Sequence, residues 1–116
     1  MVSLRKKQSE FARLVALLIQ KAYELGYEVT LGDAYRDPRL HGAMGVRQGY
    51  GHPKSAHKIR LAIDLNLFKN GKFLDSTEAH RALGEWWKKQ HPDARWGGDF
   101  KTPDGNHYSF THDGVS

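Results

Sequence analysis

Between Ile59 and Leu67 every second residue is aliphatic, as Ile59, Leu61, Ile63, Leu65 and Leu67, and the residues between them include Arg60, Ala62, Asp64 and Asn66. Strict alternation marks a strand with one face in a core, so the stretch predicts a central strand with Asp64 on the face turned away from it. A carboxylate inside so apolar a run is costly to leave unpaired, which points to a metal or a cationic partner beside it. An ion pair with Arg36 or Arg60 is the plainer reading. His57 precedes Asp64 by seven positions. On an unbroken strand that odd spacing puts the two side chains on opposite faces, so a turn or bulge must intervene before both can meet one metal.

The rest of the chain supplies the elements around this strand. Leu4, Phe11, Leu14, Val15, Leu18, Ala22 and Leu25 recur at helical spacing, which predicts a helix over 3–25 with Ser3 as its N-cap and Gly26 ending it. Its other face carries Arg5, Lys6, Arg13 and Lys21, which reads as a solvated surface. Tyr27, Val29 and Leu31 alternate as a half-buried strand that leads into Tyr35-Arg36. From Pro38 to Pro53 four glycines and several basic residues predict a long loop, with Arg39, Arg47 and Lys54 reading equally as an anion-contacting rim or as a solvated surface. Lys69-Asn70-Gly71-Lys72 is a tight turn. Asp75 or Ser76 should cap a second helix running to about Gln90, with Leu83, Trp86 and Trp87 on its apolar face. Short strands are expected at Arg95-Trp96 and at Tyr108-Phe110.

At 116 residues the chain has room for one domain and one modest core. It contains no cysteine, so disulfides and thiolate metal sites are excluded and a metal has to be held by His, Asp or Glu. The formal charge of +5 favours anionic partners, whether nucleic acid, a phosphate-bearing surface or an anionic wall polymer. No apolar run is long enough for a membrane span, and the first residues lack the pattern of a signal peptide, so synthesis in the cytoplasm and a monomeric state are expected.

Chemistry concentrates in two places. His57, Asp64 and His107 offer two imidazoles and one carboxylate, the ligand set of a zinc site that keeps a position open for water. A base that does not itself bind the metal is then needed, and Asp104 can reach from the turn before His107. Arg36, at a strand end, is the best candidate for a fixed cation facing a developing oxyanion. His41, His52, His80, His91 and His112 read as loop or helix-surface residues, His52 being the one nearest the site. A basic nucleic-acid-binding domain using the first helix and the glycine-rich loop is the alternative of another class; it predicts salt-dependent binding and no zinc requirement.

Ser55-x-His57, Ala62-x-Asp64 and Asp104-x-x-His107, in this order and with Trp96-Gly-Gly-Asp-Phe100 between the last two, resemble the M15 zinc peptidases. That family includes D-Ala-D-Ala carboxypeptidases, dipeptidases and phage endolysins that cut the L-Ala–D-Glu bond of peptidoglycan. The resemblance implies a small α+β domain, with helices on one face of an antiparallel sheet and a zinc cleft on the other. It also implies Zn2+ on His57, Asp64 and His107, Asp104 as base, Arg36 at the substrate or its oxyanion, and Ser55 in the substrate cleft. Trp96 is expected at the substrate as well. Where the family often has glycine three residues after the first histidine, this chain has Arg60. A short basic chain of this kind is similar to endolysins that accumulate in a host cytoplasm and act on the wall after release. The expected activity is hydrolysis of the L-Ala–D-Glu amide of the stem peptide, with D-Ala-D-Ala carboxypeptidase as the alternative.

Overall fold

The long amphipathic run at the N-terminus forms helix α1, Leu4–Glu24, in which the Ser3 side chain accepts a hydrogen bond from the Lys6 N–H. The computed structural model describes residues 3–45, 47 and 54–116. Phe11, Leu14, Leu18 and Ala22 bury the inner stripe of α1. Leu4 and Leu25, expected on the same stripe, stand more than a third exposed at its two ends. On the outer face Arg13 pairs with Glu10 and Lys21 with Glu24, as a solvated helix surface would.

Gly26, at φ 91°, turns the chain into strand β1, Glu28–Leu31. Leu31 is 66% exposed, so the alternation of Tyr27, Val29 and Leu31 overstates the burial of this edge strand. The loop predicted from Pro38 begins instead with one helical turn, α2, Pro38–His41. Most of its glycine-rich remainder, His52 included, lies outside the described residues.

Strand β2, Ala62–Lys69, is the spine of the sheet. It pairs antiparallel with β1 along one edge; its other edge is shared by β3, Lys72–Leu74, and β5, His107–Phe110. Strand β4, Ala94–Trp96, closes the sheet beyond β5. The β2–β3 hairpin turns on Asn70 and Gly71, both at positive φ, the requirement of a two-residue hairpin loop. The predicted second helix is preceded by a 3-10 turn, Glu78–His80, and α3 itself runs Arg81–Lys88. Ser76 provides the capping bond, accepting from the Ala79 N–H.

The core lies between one face of the sheet and the helices. Ile63, Leu65 and Leu67 of β2 and Tyr108 and Phe110 of β5 belong to one buried cluster with the α1 stripe and with Leu83 and Trp87 of α3. Strand alternation then turns Ala62, Asp64 and Asn66, together with His107 and Ser109, to the opposite face.

Candidate metal centre and cleft

Asp64 on β2 stands directly across from His107 on β5. Cross-strand partners hold their Cβ atoms about 4.5–5.5 Å apart, so sheet register alone brings these two side chains together. His57 arrives by a different route. It lies in a 3-10 turn, Ala56–Ile59, that ends on Arg60 in the left-handed conformation, φ 58° and ψ 34°. The expected strand therefore begins at Ala62, and the reversal at Arg60 is the intervening turn that the odd spacing of His57 and Asp64 demands. Left-handed backbone is the province of glycine, and here an arginine adopts it with its guanidinium 4.0 Å over the Tyr35 ring.

Both imidazoles point a nitrogen at the same oxygen. His57 Nε2 is 3.1 Å and His107 Nδ1 3.6 Å from Asp64 Oδ1. The ligand-capable atoms of the three residues all lie within 4.8 Å of one another. Donors on a tetrahedral zinc with bonds of about 2.0–2.2 Å stand about 3.3–3.6 Å apart, so the residues present fit that ion. Burial alone would push the Asp64 carboxyl up; hydrogen bonds and charge from His107 and His57 outweigh it and hold the group well below the usual carboxylate range. The plainer reading of Asp64, a pair with Arg36 or Arg60, gives way to these two histidines. The far nitrogens, His57 Nδ1 and His107 Nε2, are buried with no hydrogen-bond partner among the described residues. Whatever the near nitrogen binds therefore sets the tautomer of each ring.

The surroundings hold this geometry from two sides. Ser55 caps the 3-10 turn, its Oγ accepting from the His57 N–H at 3.2 Å and from Arg36 Nη1 at 2.9 Å. With two donors already on its oxygen, its free capacity toward a substrate is the hydroxyl proton. Arg36 is further fixed by Asp33 at 3.5 Å, and its own N–H donates to the His57 carbonyl. The buried Lys58 donates to the Ala43 carbonyl at 3.1 Å and fastens the loop after α2 to the turn that carries His57.

On the other side, the Asp104 N–H donates to the Gly97 carbonyl at 2.8 Å, and the His107 N–H to the Asp104 carbonyl at 3.1 Å. Gly97 is packed so tightly here that a Cβ would come within 2.1 Å of the Asp104 carbonyl oxygen and 2.8 Å of His107 Cβ. Trp96, expected at the substrate, is 1% exposed and cannot be a cleft wall. Its indole fills the space left by Gly84 and Gly98, where a Cβ would fall within 2.3 Å of the ring, and its Nε1–H donates to the Gly105 carbonyl at 2.7 Å. It grips the turn between Asp104 and His107 from behind. His80 is likewise no surface residue: it is 2% exposed, with Nδ1 2.8 Å from the Tyr108 hydroxyl.

Arg36, Ser55, Asp104 and His107 open onto one cleft of about 720 Å³, shared with Lys54, Phe100 and Lys101. Lys101 escaped the reading of the sequence, since a lysine in an aperiodic loop carries no local signal of what it faces, and Phe100 entered it only as the end of the Trp96-Gly-Gly-Asp-Phe100 run. The arrangement combines a three-donor metal cluster, an exposed carboxylate and a braced guanidinium around one opening, the parts of a hydrolytic site.

A family model described as D-alanyl-D-alanine carboxypeptidase, of the M15 peptidases, matches residues 48–110, more than half of the chain. No curated protein matches the chain in sequence. Among solved structures, the fold resembles that of the Serratia marcescens L-Ala D-Glu endopeptidase ChiX, with a TM-score of 0.55 and 17% identity over 81% of this chain and 75% of that one.

Proposed function

Because the chain belongs to the M15 peptidase family, we propose that it is a zinc-dependent peptidoglycan peptidase that hydrolyses the L-Ala–D-Glu amide of the stem peptide. The observation that carries this reading is the convergence of His57, Asp64 and His107 beside a cleft that also holds Asp104 and Arg36. His57, Asp64 and His107 would hold the zinc, which when bound would supply a Lewis acid and a water of lowered pKa. Asp104 accepts the proton of the attacking water and returns it to the departing amine. Arg36, held by Ser55 and Asp33, meets the negative charge that grows on the carbonyl oxygen without having to reorganise.

The choice of an endopeptidase over a carboxypeptidase is supported by open space on both sides of the catalytic turn. Pro103 and Asp104 line the large cleft and also a second cavity beyond it. A carboxypeptidase needs closure around a terminal carboxylate on one side. The fold shared with an L-Ala D-Glu endopeptidase agrees with this choice.

Digestion of purified peptidoglycan by the zinc-loaded protein, with mass spectrometry of the new termini, tests the reading. New amino-terminal D-Glu is expected; loss of terminal D-Ala would make the enzyme a carboxypeptidase, and no cleavage would refute the peptidase. Asp104→Asn should keep zinc and lose at least about a hundredfold in kcat, whereas His57→Ala should lose both zinc and turnover.

A further inference from the structure

One edge of β2 serves two strands: residues 62–64 pair with β5 and residues 67–69 with β3. Leu65 and Asn66 fall in the gap, where the Leu65 N–H is taken by the Asn106 carbonyl at 2.9 Å. The sheet therefore carries a notch of about 270 Å³ between the catalytic turn and the segment that leads to α3.

The two cavities that meet at Pro103 and Asp104 differ in charge. The large cleft sets Arg36, Lys54 and Lys101 against the shared carboxylate of Asp104. Among the described residues the notch is lined by no lysine or arginine; its polar lining is Asn66, Asp75, Thr77, His80, Asp104 and Asn106. Burial holds His80 down at about 4, so it stays neutral near pH 7 and adds no positive charge there. Amides and a hydroxyl with two carboxylates repel an anion and suit a neutral ligand rich in amide and hydroxyl groups. Asn66 follows Asp64 by two residues on the same face of β2, roughly 6.5–7 Å along the strand. A chain whose scissile carbonyl lies at the metal centre reaches the notch within about two residues.

The halves of the stem-peptide substrate differ in the same way. The D-Glu half carries free carboxylates. The L-Ala half has its nitrogen acylated by a lactyl group that leads to an N-acetylated sugar, and it carries no charge. We propose that the notch is a binding subsite for this neutral, sugar-linked acyl-L-Ala half, with Asn66 and Thr77 as its specificity-determining residues, so that charge sets the direction in which the substrate lies. The inference rests on the stem-peptide reading of the main cleft.

The test compares two substrates with the same D-Glu-containing peptide, one bearing muramoyl-linked L-Ala and one bearing only N-acetyl-L-Ala. The zinc-loaded wild type should favour the first by at least about tenfold in kcat/KM, chiefly through KM. Asn66→Ala and the isosteric Thr77→Val should each reduce that ratio about tenfold, with thermal melts verifying the fold of both. No wild-type preference, or an equal loss on both substrates, overturns the subsite and leaves the peptidase standing. Calorimetry with the uncleavable amide of N-acetylmuramoyl-L-alanine separates the two ideas. If neither substrate is cleaved but the amide binds and Asn66→Ala weakens it, the peptidase reading falls and the subsite holds; absence of binding to wild type overturns the subsite.

Discussion

Arg60 illustrates how one residue can carry two opposing terms. Left-handed backbone costs a non-glycine residue about 1–2 kcal/mol, and the stacking of its guanidinium on Tyr35 returns about 0.5–1 kcal/mol. Arg60→Gly removes both and gains unfolded-chain entropy, so its stability should fall within about 1 kcal/mol of wild type. Arg60→Val keeps the backbone strain, adds β-branching and loses the ring contact; it should cost about 2–3 kcal/mol in urea denaturation. A Val variant as stable as wild type would contradict the left-handed turn. His80 gives a pH prediction of the same kind. Its folded pKa sits near 4 because of burial, below the ordinary 6.5. Stability from this group is full above about pH 6.5 and is lost as pH falls toward 4, where the unfolded chain takes a proton that the folded one refuses. His80→Asn lacks this titration and strands the Tyr108 hydroxyl, so it should be less stable at pH 7.5, by about 1–3 kcal/mol, with the gap narrowing toward pH 4.5.

The elements show what was legible in the sequence and what was not. The alternation from Ile59 to Leu67 located β2 and put Asp64 on the face away from the core, yet Ile59 belongs to the turn that precedes the strand and Leu61 to the link between them. Leu61 is fully buried all the same. The pattern reports burial, and the link that follows a turn folded onto the core can bury a residue in step with the strand beyond it. Cross-strand register is a long-range property, so nothing local announced that Asp64 faces His107; only the chemistry of the residues joined them. Trp96 failed for a related reason. Its place is decided by Gly84 on another element, and a tryptophan beside two glycines reads equally well as a wall or as a wedge. Recognised as a wedge, it yields an expectation at this scale. Trp96→Phe keeps an aromatic ring between Gly84 and Gly98 but leaves the Gly105 carbonyl without its donor. Loosening of the Asp104–His107 turn should lower zinc affinity about tenfold and reduce kcat with little change in KM. Chelator competition and steady-state kinetics would check this, and unchanged zinc affinity would show that the indole merely fills space.

At the scale of the whole molecule, the candidate metal centre joins three separated parts of the chain: the turn that bears His57, strand β2 and strand β5. If zinc binds the assembled set and not the unfolded chain, free metal at a hundred times its Kd should add about 2.7 kcal/mol, or roughly 10 °C in Tm for a chain of this size. His57→Ala should melt at the same temperature with and without zinc.

The Asp64–His107 pairing has a further consequence, for the lifetime of the folded protein. The two residues come from distant parts of the sequence, and closing so long a loop is a late event in folding. An ion that needs both of them is expected to bind after the rate-limiting step. In stopped-flow experiments zinc at a hundred times its Kd should leave the refolding limb where it was and slow unfolding about a hundredfold. The metal would then act as a latch that sets how long the native state persists, and a matching acceleration of refolding would show that His57, Asp64 and His107 gather early instead.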